Sequence, residues 1–468
     1  MQSLLNTLLF LGLLASLVTA APGQIQKRSF KVERVRNANF KGHNGPRQLL
    51  KSYRKYMMRV PPALLDAIHN QDSAAVATVS AAETSVGQTK AKGAGQAKAK
   101  GNGKGRKKGG AAAGAAAGAA TGATTGATTG ATASNVTTNA NGTGLVTATP
   151  EQGDVEYLSP VTIGGQTLNL DFDSGSSDLW VFNTQLQNNA VTGHTVFDPT
   201  QSSTFSMIQG ASFSISYGDG SGAAGNVGTD TVNIGGASVT QQAVELATAV
   251  SDSFIEDTNN NGLLGLAFSK LNTVQPQQQK TFFDNVMSSL PEPLFTADLR
   301  KNAVGAYEFG AIDTSKFTGS MAWVPVNTSQ GFWQFSSEKF AVGTGDAQAG
   351  TSGFQAIADT GTTLILADPA TVNGYYSQVT GAEDNAQVGG ITIPCDADLP
   401  DLMLDIGGVY MAKVKGEDIN FAQVSNNTCF GGVQATTAGL GIYGDIFFKS
   451  QFVAFNGGNN SLGVAEHV

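Results

Sequence analysis

Two short triplets carry the residues of this sequence that could do acid–base chemistry. Asp-Ser-Gly at 173–175 and Asp-Thr-Gly at 359–361 each follow an apolar strand pattern, and the two aspartates are 186 positions apart. Two carboxylates a few ångströms apart cannot both ionise, so such a pair would hold one proton over an acidic range. The ionised member can take a proton from water, while the protonated member hydrogen-bonds a developing oxyanion. If the two aspartates lie close together, they are therefore candidates for an acid–base pair.

The two halves of the sequence share a second feature. Each triplet is followed later by an apolar segment rich in glycine, Gly-Leu-Leu-Gly-Leu at 262–266 and Gly-Ile-Tyr-Gly-Asp at 441–445. A repeated pattern indicates a repeated structural unit, so we expect two similar lobes that face each other. A single Asp-Ser-Gly is more often a turn or a helix cap, which is why the prediction depends on the duplication.

Short strands are the elements that must position the triplets. Residues 167–173 alternate, with one face formed by Leu168, Leu170 and Phe172 and the other by Asn169, Asp171 and Asp173. A Gly-Gly turn at 164–165 joins this strand to 161–163, which is typical of a hairpin. Residues 212–217 alternate as well and lead into a Gly-Asp-Gly hairpin tip at 218–220. Helical spacing occurs at 47–57, 281–290 and 369–379, so we predict a mainly β body.

Charge divides the 468 residues into two parts. Residues 1–143 contain 19 Lys and Arg against 4 Asp and Glu, whereas residues 144–468 contain 9 against 32. A basic half can bind nucleic acid or another polyanion, and here it can also bind the acidic half of its own chain. We favour the second interpretation. The basic stretch Lys90–Lys108 leaves polyanion binding by the linker open as a separate possibility.

The first 143 residues predict three successive segments. Residues 1–20 end in a small-residue site after an apolar run, which is typical of a secretory signal peptide; an uncleaved membrane anchor is the alternative. Residues 21–72 are basic and predict a small folded prosegment. Residues 73–143 are mostly Ala, Gly, Thr and Lys, with too few large apolar side chains to offset their conformational entropy, so we expect a disordered linker that is removed in part or whole.

The cysteine and histidine counts exclude several classes of protein. Two cysteines rule out a disulfide-dense scaffold and a zinc site built from several thiolates, and four scattered histidines rule out a His-rich metal site. In a secreted chain Cys395 and Cys429 can pair with each other. Five glycosylation sequons fit the same environment, at Asn135, Asn141, Asn327, Asn426 and Asn459.

The two triplets, the two glycine-rich segments and a Tyr-Gly-x-Gly hairpin at 217–220 together resemble the pepsin family of aspartic endopeptidases. Residues 149–181 are most similar to its secreted fungal members, the penicillopepsin and aspergillopepsin group. The resemblance covers residues 144–468 and reaches back to Tyr-Arg-Lys-Tyr at 53–56, which is similar to the family's basic pro-region. It implies an all-β, bilobal fold with a few short helices, an N-terminal lobe at 144–316, a C-terminal lobe at 317–468 and a cleft between them.

The resemblance also implies roles for individual residues. Asp173 and Asp359 would be catalytic. Ser174 and Thr360 would brace the two loops, while Ser176 and Thr362 would hydrogen-bond the carboxylates. The implied substrate-binding and flap residues are Tyr217, Gly218, Asp219, Ser221, Asp171, Trp180, Phe254, Leu263, Gly361 and Thr362. In the fungal group an acid at the flap tip, here Asp219, accompanies acceptance of Lys before the cleaved bond.

Some of these residues have an alternative interpretation. Asp171 shares a face with Asp173 and is either an acidic wall of the substrate pocket or a solvated strand residue. Tyr217 is either the flap tyrosine or a packing tyrosine, and the apolar Trp180, Phe254 and Leu263 are also ordinary core candidates.

The function implied is a secreted, extracellular acid endopeptidase of broad specificity that is made as an inactive proform and uses no metal or cofactor. Its partners would be protein and peptide substrates and its own prosegment, with Lys55 lying between the two aspartates; we expect a monomer that binds neither nucleic acid nor membrane. Two other classes of protein are alternatives. A Ser-His-Asp hydrolase would need His194 or His467, and a pepsin-fold binding protein that has lost catalysis would lack one of Asp173, Asp359 and Tyr217.

Overall fold

Strands dominate the structure, as the alternating sequence patterns predict. The computed structural model describes residues 44–71, 136–137, 143–151, 156–217 and 221–468, which all belong to one unit, Lys41–Val468. Several predictions lie outside the described residues: the signal peptide at 1–20, the prosegment before residue 44, most of the linker, the flap-tip residues Gly218 and Asp219, and the sequons at Asn135 and Asn141. None of the described helices is long and apolar enough to cross a membrane.

The described helices are few and short. They are α1 (Gly45–Lys55), α2 (residues 62–71), α3 (Asn188–Val191), α4 (Asp252–Glu256), α5 (Phe282–Val286), α6 (Pro369–Tyr376), α7 (Gly416–Ile419) and α8 (Asp445–Phe448). Single 3₁₀ turns occur at Pro199–Gln201, Ser269–Leu271, Met287–Ser289, Thr314–Lys316 and Thr328–Gln330.

The first twelve strands extend from the linker to the start of the second lobe. They are β1 (Val136–Thr137), β2 (Gly144–Pro150), β3 (Tyr157–Ile163), β4 (Gln166–Asp173), β5 (Leu179–Val181), β6 (Ser206–Ser216), β7 (Gly222–Ile234), β8 (Ala237–Val250), β9 (Gly262–Gly265), β10 (Leu294–Arg300), β11 (Ala303–Phe309) and β12 (Ala322–Pro325).

The remaining strands belong to the second half. They are β13 (Gln334–Ser336), β14 (Lys339–Val342), β15 (Gln348–Ala349), β16 (Gln355–Ala358), β17 (Ile365–Ala367), β18 (Glu383–Asn385), β19 (Gly390–Pro394), β20 (Leu402–Ile406), β21 (Tyr410–Val414), β22 (Asn420–Ser425), β23 (Thr428–Gly431), β24 (Val433–Ala435), β25 (Leu440–Tyr443), β26 (Gln451–Asn456) and β27 (Ser461–Glu466).

A single large sheet contains strands from both the beginning and the end of the acidic part of the chain, residues 144–468. It has 14 strands, and its central path runs β12-β27-β26-β10-β11-β2-β3-β4-β9-β5-β8-β7-β6. The last strands of the chain, β26 and β27, therefore lie in the same sheet as the first lobe. Three smaller sheets of five, four and four strands build the rest of the second lobe.

The predicted duplication is visible in the order and direction of the strands. In the first lobe β4 pairs with β9 in parallel, β9 with β5 in antiparallel and β5 with β8 in parallel. In the second lobe the same three relations join β16, β25, β17 and β24. The triplets follow β4 and β16, so each occupies the same place in its lobe. The mainly β, two-lobed fold is confirmed.

The predicted hairpin forms between β3 and β4, with Ile163 opposite Gln166 and both turn glycines at positive φ. Burial alternates along β4 only as far as Leu170, after which the strand is buried on both faces. Asp171 is 3% exposed. The interpretation of Asp171 as a solvated strand residue is therefore wrong, because β4 enters the interior between β3 and β9.

The predicted helices form at their expected places, with ends set by capping groups. Thr281 and Asp368 cap α5 and α6 through their side chains. In the prosegment, Asn44 caps α1, whose 11 residues end in basic Arg54 and Lys55. A second prosegment helix, α2, was not predicted.

One part of the expected disordered linker is ordered. Val136–Thr137 forms β1 and pairs with Val239 and Ser238 of β8. The expectation of disorder over the whole of 73–143 is wrong at these two residues, because a short run of β-branched residues can extend an existing sheet edge without a core of its own.

The predicted disulfide is confirmed. Cys395 and Cys429 are bonded, with their Cα atoms 4.9 Å apart. Cys429 lies in β23, opposite Ile393 of the neighbouring strand β19, and Cys395 directly follows β19. The described sequon residues Asn327, Asn426 and Asn459 are exposed.

Candidate active site

The two aspartates of the triplets meet where the lobes face each other, and each is held by its own loop. Asp173 Oδ1 accepts from the Gly175 N–H at 2.8 Å, and Asp359 Oδ1 accepts from the Gly361 N–H at 3.1 Å. Asp173 is 1% exposed and Asp359 is 0% exposed. The two carboxylates therefore have matching environments in a buried position.

Hydroxyl groups complete these environments. Ser176 Oγ donates to Asp173 Oδ2 at 2.6 Å, and the Thr362 hydroxyl donates to Asp359 Oδ2. Beneath them the loops hold each other, since the Ser174 N–H donates to Thr360 Oγ1 at 3.0 Å and the Thr360 N–H donates to Ser174 Oγ at 2.9 Å. These are the contacts expected for the four hydroxyl side chains.

Glycines allow the loops to approach closely. A Cβ atom at Gly361 would overlap the Asp173 carboxyl group, and one at Gly175 would overlap Asp359. The glycine-rich segments have the same role, because a Cβ at Gly265 would overlap the backbone of residues 177–178, and one at Gly444 would overlap the carbonyl of Thr362. The repeated glycines are therefore explained by backbone contact behind the carboxylates.

A lysine of the prosegment lies between the two carboxylates. Lys55 Nζ donates to Asp173 Oδ1 at 2.8 Å and to both oxygens of Asp359 at 3.0 Å. Its side chain is 5% exposed. The structure thus places Lys55 between the two aspartates, which is the position expected for it.

The next residue, Tyr56, makes a contact that the sequence analysis missed. Its hydroxyl donates to Asp359 Oδ2, and its ring packs edge-on against Phe332 with centroids 5.5 Å apart. Tyr56 belongs to the same basic motif as Lys55, so the sequence singled out this segment. The sequence could not show that the Tyr56 side chain points toward Asp359.

The two carboxyl groups differ in acidity. Burial and the Asp359 charge raise the pKa of Asp173, although Lys55 opposes them. For Asp359, burial is outweighed by Lys55 and by hydrogen bonds from Asp173, Thr362 and Tyr56, which lower the pKa to about 2. Lysine pairing thus accompanies a lowered pKa for Asp359 but not for Asp173, because burial and the like-charged neighbour dominate at Asp173.

The prosegment is held mainly by the second lobe. Leu49, Leu50 and Tyr53 of α1 are buried in the same apolar cluster as Phe430 and Val433. The Tyr53 hydroxyl donates to the Ala435 carbonyl at 2.5 Å, and Thr437 donates to the Arg59 carbonyl at 2.7 Å. Residues 44–71 are therefore docked by packing and hydrogen bonds as well as by charge.

The predicted flap and subsite residues of the first lobe come together. Trp180 Nε1 donates to the Tyr217 hydroxyl at 2.8 Å, and Phe254 packs against both rings, at centroid distances of 4.8 and 5.6 Å. Leu263 belongs to the same apolar cluster. The Tyr217 N–H donates to the Ser221 carbonyl at 2.8 Å, which closes the base of the hairpin.

A group of acidic residues beside the first triplet was missed. The charges of these acidic groups affect one another's pKa values; the group consists of Glu151, Glu156, Asp171 and Asp257. The positive charge of Lys51 in α1 opposes the rise in pKa of the last three. Burial raises the pKa of Asp171 to about 8 and that of Glu151 to about 7. Lys51 and Lys55 are one helical turn apart, so the helical spacing of the basic residues was the available signal.

In the described part of the chain, neither His194 nor His467 forms a catalytic triad. The ring nitrogens of His194 bond the backbone carbonyls of Asn260 and Ile255, and His467 Nε2 bonds the Phe448 carbonyl. Within the described ranges no serine hydroxyl bonds either ring, which leaves the Ser-His-Asp alternative without support. The same ranges contain no group of three or more His, Cys, Asp or Glu side chains placed to hold a metal ion.

Comparison with known proteins gives consistent matches. The family model described as eukaryotic aspartyl protease matches residues 156–467. A protein of Aspergillus fumigatus named as an aspergillopepsin A-like aspartic endopeptidase is 43% identical over 98% of this chain and 99% of its own length. Aspergillopepsin-1 of Aspergillus oryzae is 51% identical over 70% of this chain and 80% of its own, and penicillopepsin-1 of Penicillium rubens is 52% identical over 69% and 81%.

Proposed function

The chain belongs to the eukaryotic aspartyl protease family and is an aspartic-type endopeptidase that acts on proteins and peptides, and we propose that Asp173 and Asp359 are its catalytic residues. One observation carries this proposal. The two carboxylates converge on a single cation, Lys55 Nζ, from loops that supply each of them with the same N–H and hydroxyl donors.

In the proposed mechanism the pair holds one proton. The ionised carboxylate takes a proton from a water as that water attacks the peptide carbonyl, and the protonated carboxyl hydrogen-bonds the developing oxyanion. A proton then passes to the leaving nitrogen as the C–N bond breaks. Donors from Ser176 and Thr362 satisfy the outer oxygens, so the carboxylates keep their orientation without a metal or other cofactor.

We propose that residues 44–71 hold the chain as an inactive proform. Lys55 and Tyr56 occupy the hydrogen-bonding positions between and beside the carboxylates that a substrate and water would need. The prosegment is thus the protein's own inhibitor, and it must leave before a peptide can bind. Removal of residues up to the linker, by the enzyme itself, would complete activation.

For specificity we propose broad cleavage next to large apolar residues, with acceptance of Lys before the cleaved bond. The apolar cluster of Trp180, Phe254, Leu263 and Tyr217 supports the first part. The second part depends on Asp219, which lies outside the described residues. A carboxylate there would pair with a substrate ammonium that flap closure desolvates.

Exchange of Asp219 for serine tests the specificity. In Asp219→Ser we expect turnover of peptides with Lys before the cleaved bond to fall at least about tenfold more than turnover of matched Phe and Leu peptides, because only the former lose an ion pair. Equal losses in both series would show that Asp219 acts on flap closure instead.

The protein's environment is proposed from the sequence. The predicted signal peptide, the disulfide and the exposed sequons at Asn327, Asn426 and Asn459 fit a secreted, extracellular, glycosylated protein. We propose further that it is a monomer that binds neither nucleic acid nor membrane.

The catalytic assignment is tested by digestion of a diverse peptide library at acid and neutral pH, with and without a transition-state-mimic peptide inhibitor. We expect inhibitor-sensitive cleavage at acid pH. Asp173→Asn and Asp359→Asn should each reduce it at least about a thousandfold, since each variant removes one half of the acid–base pair. Asp230→Asn, an exchange of a buried acid elsewhere in the first lobe, is the matched control, and loss of activity there but not in the other two would overturn the assignment.

A further inference from the structure

A second pair of buried acidic side chains lies behind the cleft of the first lobe and takes no part in the proposed chemistry. Asp178 and Glu245 are each 1% exposed. Asp178 directly precedes β5, and Glu245 lies on β8 opposite Trp180 of β5. The two side chains therefore connect neighbouring parallel strands.

Asn272 bridges the two carboxyl groups. Its Nδ2 donates to Asp178 Oδ1 and to Glu245 Oε1, at 3.1 Å in each case. Asp178 Oδ1 also accepts from the N–H and the hydroxyl of Thr273, at 2.9 and 3.0 Å. The second oxygens, Asp178 Oδ2 and Glu245 Oε2, are buried and receive no hydrogen bond from any other described residue.

The two side chains lie within hydrogen-bonding reach of each other, and two carboxyl groups can form a hydrogen bond only when one of them carries a proton. Burial and the Asp178 charge raise the pKa of Glu245 well above its ordinary value, so Glu245 is the donor and Asp178 the acceptor. None of the ion pairs in the described ranges includes either residue. The other ionisable groups that face the pair are Asp173 and Tyr217, and neither supplies a positive charge.

Strand β5 connects this pair to the cleft. Trp180 comes two residues after Asp178, and its Nε1 holds the Tyr217 hydroxyl at 2.8 Å. Its ring packs against Phe254 at 4.8 Å. Movement of β5 away from β8 would therefore displace the indole that holds the proposed flap tyrosine.

The same pair lies next to the backbone of the first triplet. The Asp178 carbonyl accepts from the Gly265 N–H at 2.9 Å, and the neighbouring Leu266 N–H donates to the Asp173 carbonyl at 2.8 Å. A displacement of Asp178 would thus reach the loop that carries Asp173.

We propose that Asp178 and Glu245 are positioning residues that share one proton, and that this proton holds β5 against β8 and keeps Trp180 and Tyr217 in place. Loss of the proton as the pH rises would leave two carboxylates facing each other in a buried site with no cation, and they would repel each other. The lobe would then loosen and the enzyme would lose activity. Of the measurements that test this inference, only enzyme activity rests on the proposed function.

The sign of the pH effect follows from the raised affinity of Glu245 for its proton. A carboxyl group that binds its proton more tightly in the folded than in the unfolded state stabilises the fold fully below its ordinary pKa, about 4.3. This stabilisation is lost as the pH rises through the raised pKa of the folded state. The pair therefore stabilises the first lobe in acid, and this stabilisation declines as the pH rises.

Glu245→Gln tests the proposal. The amide can donate to Asp178 Oδ2 at every pH, and its oxygen can still accept from Asn272. In the full chain we expect the fall in Tm between pH 5 and pH 8 to be at least halved relative to wild type. In the acid-activated enzyme we expect near-normal activity at acid pH and a half-life at pH 8 at least about tenfold longer, equivalent to a shift of one pH unit.

Two further variants complete the design. Asp178→Asn removes the other charge of the pair and should give the same gain, without a further gain in the double variant. Glu292→Gln changes the net charge equally at an exposed position and should keep the wild-type pH dependence. Because Tm is measured on the proform, it tests the proposal even if the wild-type chain cleaves no peptide, an outcome that would overturn the proposed function alone.

The proposal is overturned if both amide variants fold and keep the wild-type dependence of Tm on pH. It is also overturned if Glu292→Gln gives the same gain, since the effect would then come from net charge. If neither amide variant folds, the inactivation rate of the wild-type enzyme is measured from pH 6 to pH 8. This rate should increase with pH, and a constant rate would contradict the shared proton.

Discussion

Asp173 and Asp359 have matching partners within their own loops but different partners from the prosegment. Lys55 contacts both carboxylates, whereas Tyr56 donates only to Asp359. The pKa of Asp359 is accordingly lowered to about 2, while that of Asp173 is raised. The asymmetry of the pair in the described state therefore comes in part from residues that the mature enzyme would lack.

A single exchange, Lys55→Gln, tests how the prosegment is held. A carboxylate with a lowered pKa stabilises the contact fully above the ordinary value, about 3.9, and the stabilisation is lost as the pH falls through the lowered value. For Asp359 that window lies between about pH 4 and pH 2. We expect wild-type conversion to accelerate in this window and Lys55→Gln to convert at least about tenfold faster at pH 5, because removal of one partner of a buried ion pair is strongly destabilising.

Disappearance of the full-length chain on gels, from pH 2 to pH 6, measures this conversion. Arg54→Gln is the matched control, since it removes one positive charge from the adjacent position of α1 without touching the carboxylates. If Lys55→Gln converted with the wild-type pH dependence, the ion pair would not be the contact that holds the proform.

At the scale of elements, the helix α1 supplies more to docking than its charge. Leu49, Leu50 and Tyr53 are 2%, 6% and 3% exposed against the second lobe. Burial of apolar side chains is independent of pH, whereas the Lys55 contact is not. The prosegment therefore combines pH-sensitive contacts, made by Lys55 and Lys51, with an apolar surface that sets how tightly it binds.

Truncation of that apolar surface should loosen the proform. Leu49→Ala is expected to weaken docking by roughly 2–5 kcal/mol, through lost burial and an unfilled cavity. At pH 6 the variant should bind a transition-state-mimic inhibitor that the wild-type proform excludes. Leu65→Ala on α2, where the side chain is 41% exposed, should behave like wild type; equal inhibitor binding by both variants would contradict a specific role for α1.

Much of the fold and the site could be predicted where the signal is local. The β3–β4 hairpin, α6 and both triplets depend on turn residues, caps and apolar runs that are visible in a few adjacent positions. The buried end of β4 could not be predicted in the same way, because a strand covered on both faces loses the alternation that defines a face.

Contacts between distant segments of the chain could not be predicted from the sequence either. The role of Glu245 depends on its register with Trp180, and the contact of Tyr56 with Asp359 joins positions 303 apart. Neither relation leaves a pattern in the sequence. A basic residue such as Lys55 could be proposed from the sequence, because opposite net charges on the two halves of the chain imply attraction. The charges do not specify the geometry of the contact.

At the scale of the whole molecule, the body is already assembled while the prosegment is bound. Strand β2 pairs with β11 from Gly144 opposite Phe309 to Ala148 opposite Gly305, and with β3 at Thr149 and Pro150. Removal of the linker should leave a mature N-terminus between Ser134 and Thr147. We expect it before Gly144, because a cut within β2 would remove part of a central pairing.

Since β2 and the prosegment occupy separate places, a cut in the linker should not by itself activate the protein. We expect a chain with a specific protease site inserted between Gly109 and Gly110 to stay inactive after cutting at neutral pH, when assayed at pH 5.5. The two fragments should co-elute on size exclusion, because α1 keeps its contacts through Lys55, Tyr53 and Leu49. Acidification of the cut protein should then release activity within the range where the Asp359 contact is lost, and the cut Lys55→Gln protein should be active without it. Full activity of the cut wild-type chain before acidification would mean that the covalent link, and not the docked surface, maintains inhibition.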